Sequence, residues 1–175
     1  MIAVRNGRAH RARLVALGAH APARVVTNAE IERNVDTSDE WIVTRTGIRE
    51  RRFAAADEAA SDLALAAARR VLDDAGLPAE RLDMVIVPTS TPDHLFPSTA
   101  AILAERLGAG GAAAYDLSAA CSGFVYGLAQ AAAMVEAGMA TNVLVVGSEV
   151  LSKVTDHTDR GTCILFGDGA GGALV

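Results

Sequence analysis

The chain has 175 residues, a length that fits one domain, and 51% of them are hydrophobic, which supplies enough apolar material for a core. Its formal net charge of −5 excludes a global basic field that would hold nucleic acid or an anionic membrane. Its 2 cysteines lack zinc-ligand spacing, and no apolar run approaches the roughly 18 residues of a membrane span. We therefore expect a cytoplasmic protein without a structural disulfide or metal site. We interpret residues 1–11, which are rich in arginine, as a loose extension, and residues 12–175 as the folded part.

The first third of the folded part predicts short extended and helical pieces. ARLVALGA predicts the first strand and RVVTN the second. Asn28 is expected to cap a short helix, and Ser38 to cap the next helix, within VDTSDEWIVTRTG. On that second helix Trp41 and Arg45 lie four positions apart and therefore share a face.

The middle of the chain predicts alternating helices and buried strands. Residues 59–75 are rich in helix formers and are followed by Gly76 and Pro78, which are typical of a helix stop. MVIVPTS is apolar and β-branched, as in a strand buried on both faces, and STAAILAERLG predicts the next helix. AAYDLS and NVLVVGS predict two further strands on either side of a long helix, SGFVYGLAQAAAMVEAG. Strands that alternate with helices in this way indicate an α/β architecture.

The long helix carries no charge before its last turn, and Phe124, Leu128, Ala131 and Val135 line one side of it. Alanine fills most of the remaining positions. A helix that is apolar all round is buried on all sides, so we expect it to lie at the centre of the fold. Cys121 immediately precedes it, where a strand-like run changes to a helical one in AYDLSAACSGFVYGL.

Cys121 has two interpretations. A thiol at a helix N-terminus faces unpaired backbone N–H groups and the positive end of the helix dipole, both of which favour the nucleophilic thiolate. The small residues from Ala119 to Gly123 would leave room for a substrate carbonyl and free N–H groups for an oxyanion. Alternatively, cysteine is among the most buried residue types, and Cys121 fills the core between its neighbours. Cys163, in the apolar run CILF, is expected to be strand-like and the less reactive thiol.

Three polar features have structural interpretations. GDGAGG at residues 167–172 satisfies the dinucleotide pattern G-x-G-x-x-G, but ALV follows it instead of a helix, so we interpret it as a closely packed strand. Asp156, His157 and Asp159 are interpreted as polar loop residues without a metal or an acid–base role. His94 is expected to be exposed or at an interface.

Two features stay open between a structural and a binding interpretation. A lone tryptophan beside an arginine on a helix, such as Trp41, is more often partly buried than part of a ligand site. An indole face nevertheless stacks well on a purine, and a guanidinium plane can stack while it contacts phosphate. The run Arg49, Arg51 and Arg52 predicts a solvated face that could also attract the phosphates of a ligand or an acidic partner.

AYDLSAACSGFVYGL resembles the active-cysteine segment of the thiolase-like condensing enzymes, most closely of β-ketoacyl-acyl-carrier-protein synthase III. VDTSDEWIVTRTGIRERR, FPSTAA, VVGSEVLS and DRGTCILFGDGAGGALV are similar to segments of that family in the same order, over nearly the whole chain after residue 12. The resemblance implies a thiolase-like α/β fold of two duplicated βαβαβ-type halves, of which this chain carries the first half, with the buried helix at its centre.

The resemblance also implies roles for individual residues. Cys121 matches the nucleophile that accepts an acetyl or similar short group from coenzyme A as a thioester. Trp41 matches the aromatic residue that stacks on the adenine of coenzyme A, and Arg160 matches the guanidinium on the other side of that adenine. Thr37 and Arg45 match further contacts to coenzyme A.

Phe96 resembles the phenylalanine that reaches across a homodimer interface to bound the partner's acyl pocket. The implied reaction condenses the acyl group with malonyl-acyl carrier protein, loses carbon dioxide and starts fatty-acid synthesis without a permanently bound cofactor. The histidine and asparagine of the family lie in the second half of its fold, so this chain is expected to be truncated and to lack them. Two alternatives stay open: a related acyltransferase of secondary metabolism, and a non-catalytic α/β module with a buried or redox-sensitive thiol.

Overall fold

The computed structural model describes residues 11–175, and nearly all of the expected N-terminal extension lies outside the described part. Within that range the chain forms seven β-strands and six α-helices. In chain order they are β1 (Ala16–His20), β2 (Arg24–Thr27), α1 (Asn28–Ile31), α2 (Asp39–Thr46), β3 (Glu50–Phe53), α3 (Ala60–Ala75), β4 (Met84–Pro88), α4 (Thr99–Leu107), β5 (Ala113–Leu117), α5 (Gly123–Glu136), β6 (Val143–Val150), α6 (Arg160–Cys163) and β7 (Asp168–Leu174).

Five strands form one sheet in the order β1-β7-β6-β4-β5, and β2 and β3, which α1 and α2 separate in the chain, form a second, two-stranded antiparallel sheet. β4 runs parallel to β5 and β6, so that Ile86 pairs with Tyr115 on one side and Val145 on the other. β7 and β1 add antiparallel strands beyond β6. The segment β4-α4-β5-α5-β6 is the expected βαβαβ unit. It brings the carboxyl ends of three parallel strands to one edge of the sheet, where open α/β sheets bind ligands.

Helices α3 and α4 cover one face of the sheet. Leu63, Val71 and Leu103 are fully buried there against Val85 and Leu144 of the sheet. Gly18 in β1 leaves no room for a side chain, because a Cβ would lie 2.8 Å from the carbonyl oxygen of Ala67 in α3. The absence of that side chain lets the backbone of α3 rest directly on β1.

Two predicted helix ends are confirmed. The Oγ of Ser38 accepts a hydrogen bond from the N–H of Trp41 at 3.1 Å, and so caps α2. α3 ends at Gly76, whose φ of 61° lies in the left-handed region that glycine adopts without steric cost.

Helix α5 covers the opposite face of the sheet, and it does so with one side only. A Cβ on Gly127 would lie 2.9 Å from Cγ1 of Val145, so the helix and the sheet are in close contact there. Ala131 is fully buried, whereas Val125 is 64% exposed and Tyr126 is 54% exposed. The prediction of burial on all sides is therefore wrong for the described chain, because no second layer among residues 11–175 lies over the outer side of α5.

Two local predictions are also wrong. Thr27 occupies the cap position of α1, and Asn28 is its first helical residue, with a buried side chain that bonds to other parts of the chain. The run CILF is not a strand, since Cys163 ends helix α6. Its first two residues, Cys163 and Ile164, instead belong to a small satellite core with Val26, Ile31 and Ile42, against which Trp41 and Phe53 pack.

The contact at Gly127 predicts a loss of stability when a side chain is added. Gly127→Val should lower the free energy of unfolding by about 2 kcal/mol, because the new methyl groups collide with Val145. Ala133→Val introduces the same residue at an exposed position of the same helix without the collision. Because valine is a poorer helix former than alanine but a better one than glycine, helix propensity alone would make Ala133→Val the more destabilising variant. Urea denaturation followed by circular dichroism measures both variants. Equal losses in the two variants would show that the close packing of α5 is not stabilising.

Candidate functional site

Cys121 lies at the edge formed by the carboxyl ends of the parallel strands. β5 ends at Leu117, and a short 3-10 turn from Ala120 to Ser122 leads into α5. The side chain of Cys121 is exposed, so the interpretation of this thiol as core filling is wrong. Ala120 has a φ of 46°, a left-handed conformation that is uncommon for residues with a side chain. The turn therefore holds the thiol outward at some cost in backbone strain.

The thiol opens on a cavity of about 250 Å³. Its walls include Pro88 at the end of β4, Glu149 near the end of β6, and Gly171 in β7. The expectation of free N–H donors around Cys121 is only partly met, because the Ser122 amide donates to the Ala119 carbonyl at 3.2 Å. The Gly123 amide is likewise used within the turn.

Glu149 is a polar residue of this cavity that the sequence reasoning did not identify. Its Oε1 accepts from the N–H of Ser90 at 2.8 Å, and its Oε2 accepts from the hydroxyl of Thr91 at 2.8 Å. The Thr91 Oγ1 in turn accepts from the N–H of Val150 at 2.8 Å. These bonds tie the loop after β4 to the end of β6, and so fix the rim of the cavity.

Trp41, Arg45 and Arg160 form a second cluster, which we name the indole clamp. The guanidinium carbon of Arg45 lies 4.2 Å from the centroid of the Trp41 ring, which confirms the predicted shared face. The guanidinium carbon of Arg160, from the start of α6, lies 4.8 Å from the same centroid. The fold thus brings together three of the residues singled out in the sequence, in contacts of the cation–π type.

The charges of the indole clamp are available to a ligand. Arg160 donates from Nη1 to the carbonyl oxygen of Asp36 at 3.1 Å, and Arg45 makes a long contact to the Trp41 carbonyl at 3.4 Å. The ion pairs among residues 11–175 are Arg24–Glu30 and Arg106–Asp62, so neither clamp arginine is neutralised by a carboxylate. Two cations held on one ring can therefore attract an anionic group such as phosphate.

Thr37 and Phe96, the other two residues to which the resemblance assigns a role, are not part of the indole clamp. The hydroxyl oxygen of Thr37, just before the cap of α2, is buried and has no hydrogen-bond partner among the described residues. Phe96 is 84% exposed in the loop after β4, next to Leu95 at 90%. Phe96 does not line the cavity of Cys121. Together with Leu95 it forms an exposed apolar projection on the surface of this chain.

The acidic loop before α6 has a structural role. Asp159 caps α6, since its Oδ1 accepts from the N–H of Gly161 at 2.9 Å and its Oδ2 from the hydroxyl of Thr162 at 2.6 Å. The bond from Thr162, followed by that from Gly161, holds the pKa of Asp159 below its ordinary value. The Asp159-Arg160-Gly161-Thr162 spacing carries the signal of a helix cap that the sequence reasoning missed.

The remaining polar motifs are structural as well. The Nε2 of His157 lies 2.8 Å from the carbonyl oxygen of Ser152, and His94 is exposed as expected. Residues 168–172 of GDGAGG lie in strand β7, where Asp168 accepts hydrogen bonds from the N–H groups of Ala54 at 2.7 Å and Ser152 at 2.8 Å. The rejection of a dinucleotide fingerprint is therefore confirmed.

The run Arg49, Arg51 and Arg52 does not form the solvated face that the sequence predicted. Arg49 is exposed and Arg52 is half-buried, but Arg51 is only 6% exposed and bonds to groups inside the protein. Arg51 is thus not part of a solvated face, because its guanidinium is used within the fold.

Two structural absences apply to the described part of the chain. Residues 11–175 hold no cluster of three or more His, Cys, Asp or Glu side chains that could bind a metal ion. Over the same range, no helix combines the length and the apolar character needed to cross a membrane.

Known proteins are similar to this chain in fold and in sequence. The family model for 3-oxoacyl-[acyl-carrier-protein] synthase III matches residues 115–175, which include Cys121 and Arg160. The β-ketoacyl-[acyl-carrier-protein] synthase III of Caldanaerobacter subterraneus subsp. tengcongensis is 57% identical over 162 residues, which are 93% of this chain and 49% of that protein. The crystal structure of the Thermus thermophilus synthase III is 57% identical with a TM-score of 0.90, over 94% of this chain and 51% of that one.

A polyketide enzyme is also similar. The priming β-ketosynthase of the R1128 polyketide biosynthetic pathway is 42% identical with a TM-score of 0.92, over 97% of this chain and 52% of that one. The chain therefore spans about half the length of the relatives that it matches. Since the resemblance, the family model and the relatives agree, the chain belongs to the β-ketoacyl-[acyl-carrier-protein] synthase III family of thiolase-like condensing enzymes.

Proposed function

We propose that the chain is the N-terminal half of a condensing enzyme and carries its acyl-accepting step. The observation that supports this most directly is the exposed thiol of Cys121, which opens on a cavity at the ligand-binding edge of the sheet. The substrate is a short acyl thioester of coenzyme A, with acetyl-CoA preferred. The relatives named above supply the reaction class.

The acyl transfer needs only groups that the chain and the substrate hold. The Cys121 sulfur attacks the thioester carbonyl carbon and forms a carbon–sulfur bond, while the carbonyl oxygen takes up negative charge. When this intermediate collapses, the bond between the carbonyl carbon and the sulfur of coenzyme A breaks. The coenzyme A thiolate leaves and takes the proton given up by Cys121, so no oxidant or reductant is involved.

The indole clamp is the proposed site for the adenosine end of coenzyme A. A purine between an indole and a guanidinium needs about 7 Å between them, two stacking distances of about 3.4 Å. Arg160 now lies 4.8 Å from the centre of Trp41, so its side chain must swing outward by about 2 Å to admit the ring. Arg45 and Arg160 then remain close to the phosphates. The hydroxyl of Thr37, near the start of α2, is buried and would contact the ligand only after its side chain rotates outward.

The second step of the family reaction requires groups beyond this site. Decarboxylation of malonyl-acyl carrier protein develops negative charge that a histidine and an asparagine of the second half are expected to stabilise. Among the described histidines, His20, His94 and His157 do not line the cavity of Cys121. The complete enzyme is proposed to be a cytoplasmic homodimer in which Phe96 bounds the partner's acyl pocket, and which starts fatty-acid synthesis.

A priming synthase of secondary metabolism is the second candidate. The R1128 priming β-ketosynthase and the tetronic acid condensing enzyme AbyA1, which is 33% identical with a TM-score of 0.83, share the fold. The two candidates differ in the acyl donor. Acylation of Cys121 at equal rates by acetyl-CoA and by a longer-chain acyl-CoA would favour this second candidate over a fatty-acid starter enzyme.

The first prediction is that acetyl-CoA acetylates Cys121 and leaves Cys163 free. Cys163 is 3% exposed, and burial raises its pKa, so it holds less of the reactive thiolate. Peptide mass mapping after brief incubation at neutral pH locates the acetyl group. Cys163→Ser should keep the modification and Cys121→Ser should lose it.

An unselective reaction would contradict the proposal. Brief treatment with iodoacetamide provides the matching control, since Cys121 should be alkylated faster than Cys163 in the folded chain and at a similar rate in urea. Acetylation of both thiols in the folded chain, or of neither, argues against Cys121 as the acyl acceptor.

The second prediction concerns the indole clamp. Trp41→Ala should weaken coenzyme A binding by about 1–3 kcal/mol, the contribution of one base stacked on an aromatic side chain. Trp41→Phe keeps an aromatic face and should retain most of the affinity. Calorimetry measures binding, and circular dichroism checks that both variants are folded. Unchanged affinity in a folded Trp41→Ala protein removes Trp41 from the site.

A further inference from the structure

The side chain of Asn28 connects both ends of helix α2. Its Nδ2 donates to Oδ1 of Asp39, the first residue of α2, at 2.7 Å. The same nitrogen donates to the carbonyl oxygen of Ile48, just past the end of α2, at 2.9 Å. Because Asn28 is 2% exposed, water does not compete for these bonds. Helix α2, which carries Trp41 and Arg45, is thus held from both ends by one amide.

Arg51 connects that amide to helix α6. Its Nη1 donates to the Oδ1 of Asn28 at 2.7 Å, and its Nη2 donates to the carbonyl oxygen of Ile164 at 2.6 Å. Ile164 directly follows α6, the single helical turn that begins at Arg160. The rigid fork of the guanidinium therefore spans the two helices that carry the indole clamp.

Burying the charge of Arg51 to make these bonds carries a desolvation penalty. Arg51 has no carboxylate partner within the described residues, and its Nε is buried without a hydrogen-bond partner there. Burial accordingly lowers the pKa of its guanidinium below the ordinary value. An apolar side chain of similar size would fill the space at less cost, so the retained charge indicates a requirement for defined geometry.

We propose that Arg51 and Asn28 are positioning residues that hold α2 and α6 at a fixed separation, and so set the gap between Trp41 and Arg160. The inference rests on the proposed function, in which that gap receives the adenine of coenzyme A. The side chain of Arg160 swings on its own bonds, whereas its backbone stays where Arg51 holds it. A ligand that binds to this preset frame orders fewer groups than one that must bring two free helices together.

The experiment uses Trp41 as the reporter, because it is the single tryptophan of the chain. Arg51→Met removes both bonds of the fork, and Asn28→Asp keeps an acceptor for Arg51 but loses both donations to α2. Arg106→Met is the matched control: Arg106 also makes two side-chain bonds, to Ser61 at 3.0 Å and Asp62 at 2.8 Å, away from the clamp. The emission maximum and the acrylamide quenching of Trp41 are measured without ligand, and then coenzyme A is titrated.

We expect Arg51→Met and Asn28→Asp to shift the emission of Trp41 to the red and to increase its quenching by acrylamide. The affinity for coenzyme A should fall about tenfold, which corresponds to the binding contribution of one guanidinium stacked on an aromatic ring. Arg106→Met should lower stability and leave both readouts unchanged. If Arg51→Met does not fold, Asn28→Asp and the conservative Arg51→Lys, which keeps the charge but loses the planar fork, decide the question.

Wild-type emission and quenching in folded Arg51 and Asn28 variants would overturn the inference, as would equal changes in Arg106→Met. Failure of the wild-type chain to bind coenzyme A counts against the proposed function instead. In that case the measurements without ligand still decide whether Arg51 and Asn28 position the clamp.

Discussion

The close approach of α5 to the sheet is the constraint on which the position of Cys121 depends. A Cβ on Gly127 would lie 2.9 Å from Val145, and a Cβ on Gly123 would lie 3.0 Å from Pro88. Glycine at both positions lets the first two turns of the helix lie directly on β4 and β6. Cys121 is two residues before Gly123, so the close approach of α5 to the sheet also fixes the position of the thiol. It lies at the rim of the cavity, beside Pro88 and Glu149.

The nucleotide end of the proposed site is built on a different part of the fold. The indole clamp lies on α2 and α6, which pack on a satellite core together with the two-stranded β2–β3 sheet. Asp168 joins this part to the main sheet, since it accepts from the N–H of Ala54 just after β3 and from the N–H of Ser152 just after β6. The net charge of −5 is compatible with a phosphate-bearing ligand because the two clamp arginines are concentrated on one ring.

Local patterns predicted most of the elements, and long-range contacts account for the errors. The stop at Gly76 and the cap at Ser38 depend on neighbouring residues, and both are confirmed. Asn28 and Arg51 were misjudged because their partners are remote: Ile164 is 113 positions from Arg51. The burial of α5 was overestimated because an apolar sequence does not reveal whether another layer covers it. The roles of Trp41 and Arg160 required a resemblance, since their contact joins two distant segments.

The central claim is that the indole clamp and Cys121 hold the two ends of one substrate. Adenosine 3′,5′-bisphosphate carries the adenine, the 3′-phosphate and one of the two 5′-phosphates of coenzyme A but no thioester, so it can occupy only the clamp. The direct measurement is the rate of Cys121 acetylation by acetyl-CoA as this nucleotide is added, with Trp41 emission recorded in parallel. The account predicts that acetylation slows with the same midpoint as the change in emission. Undiminished acetylation at concentrations that saturate the Trp41 signal would contradict it.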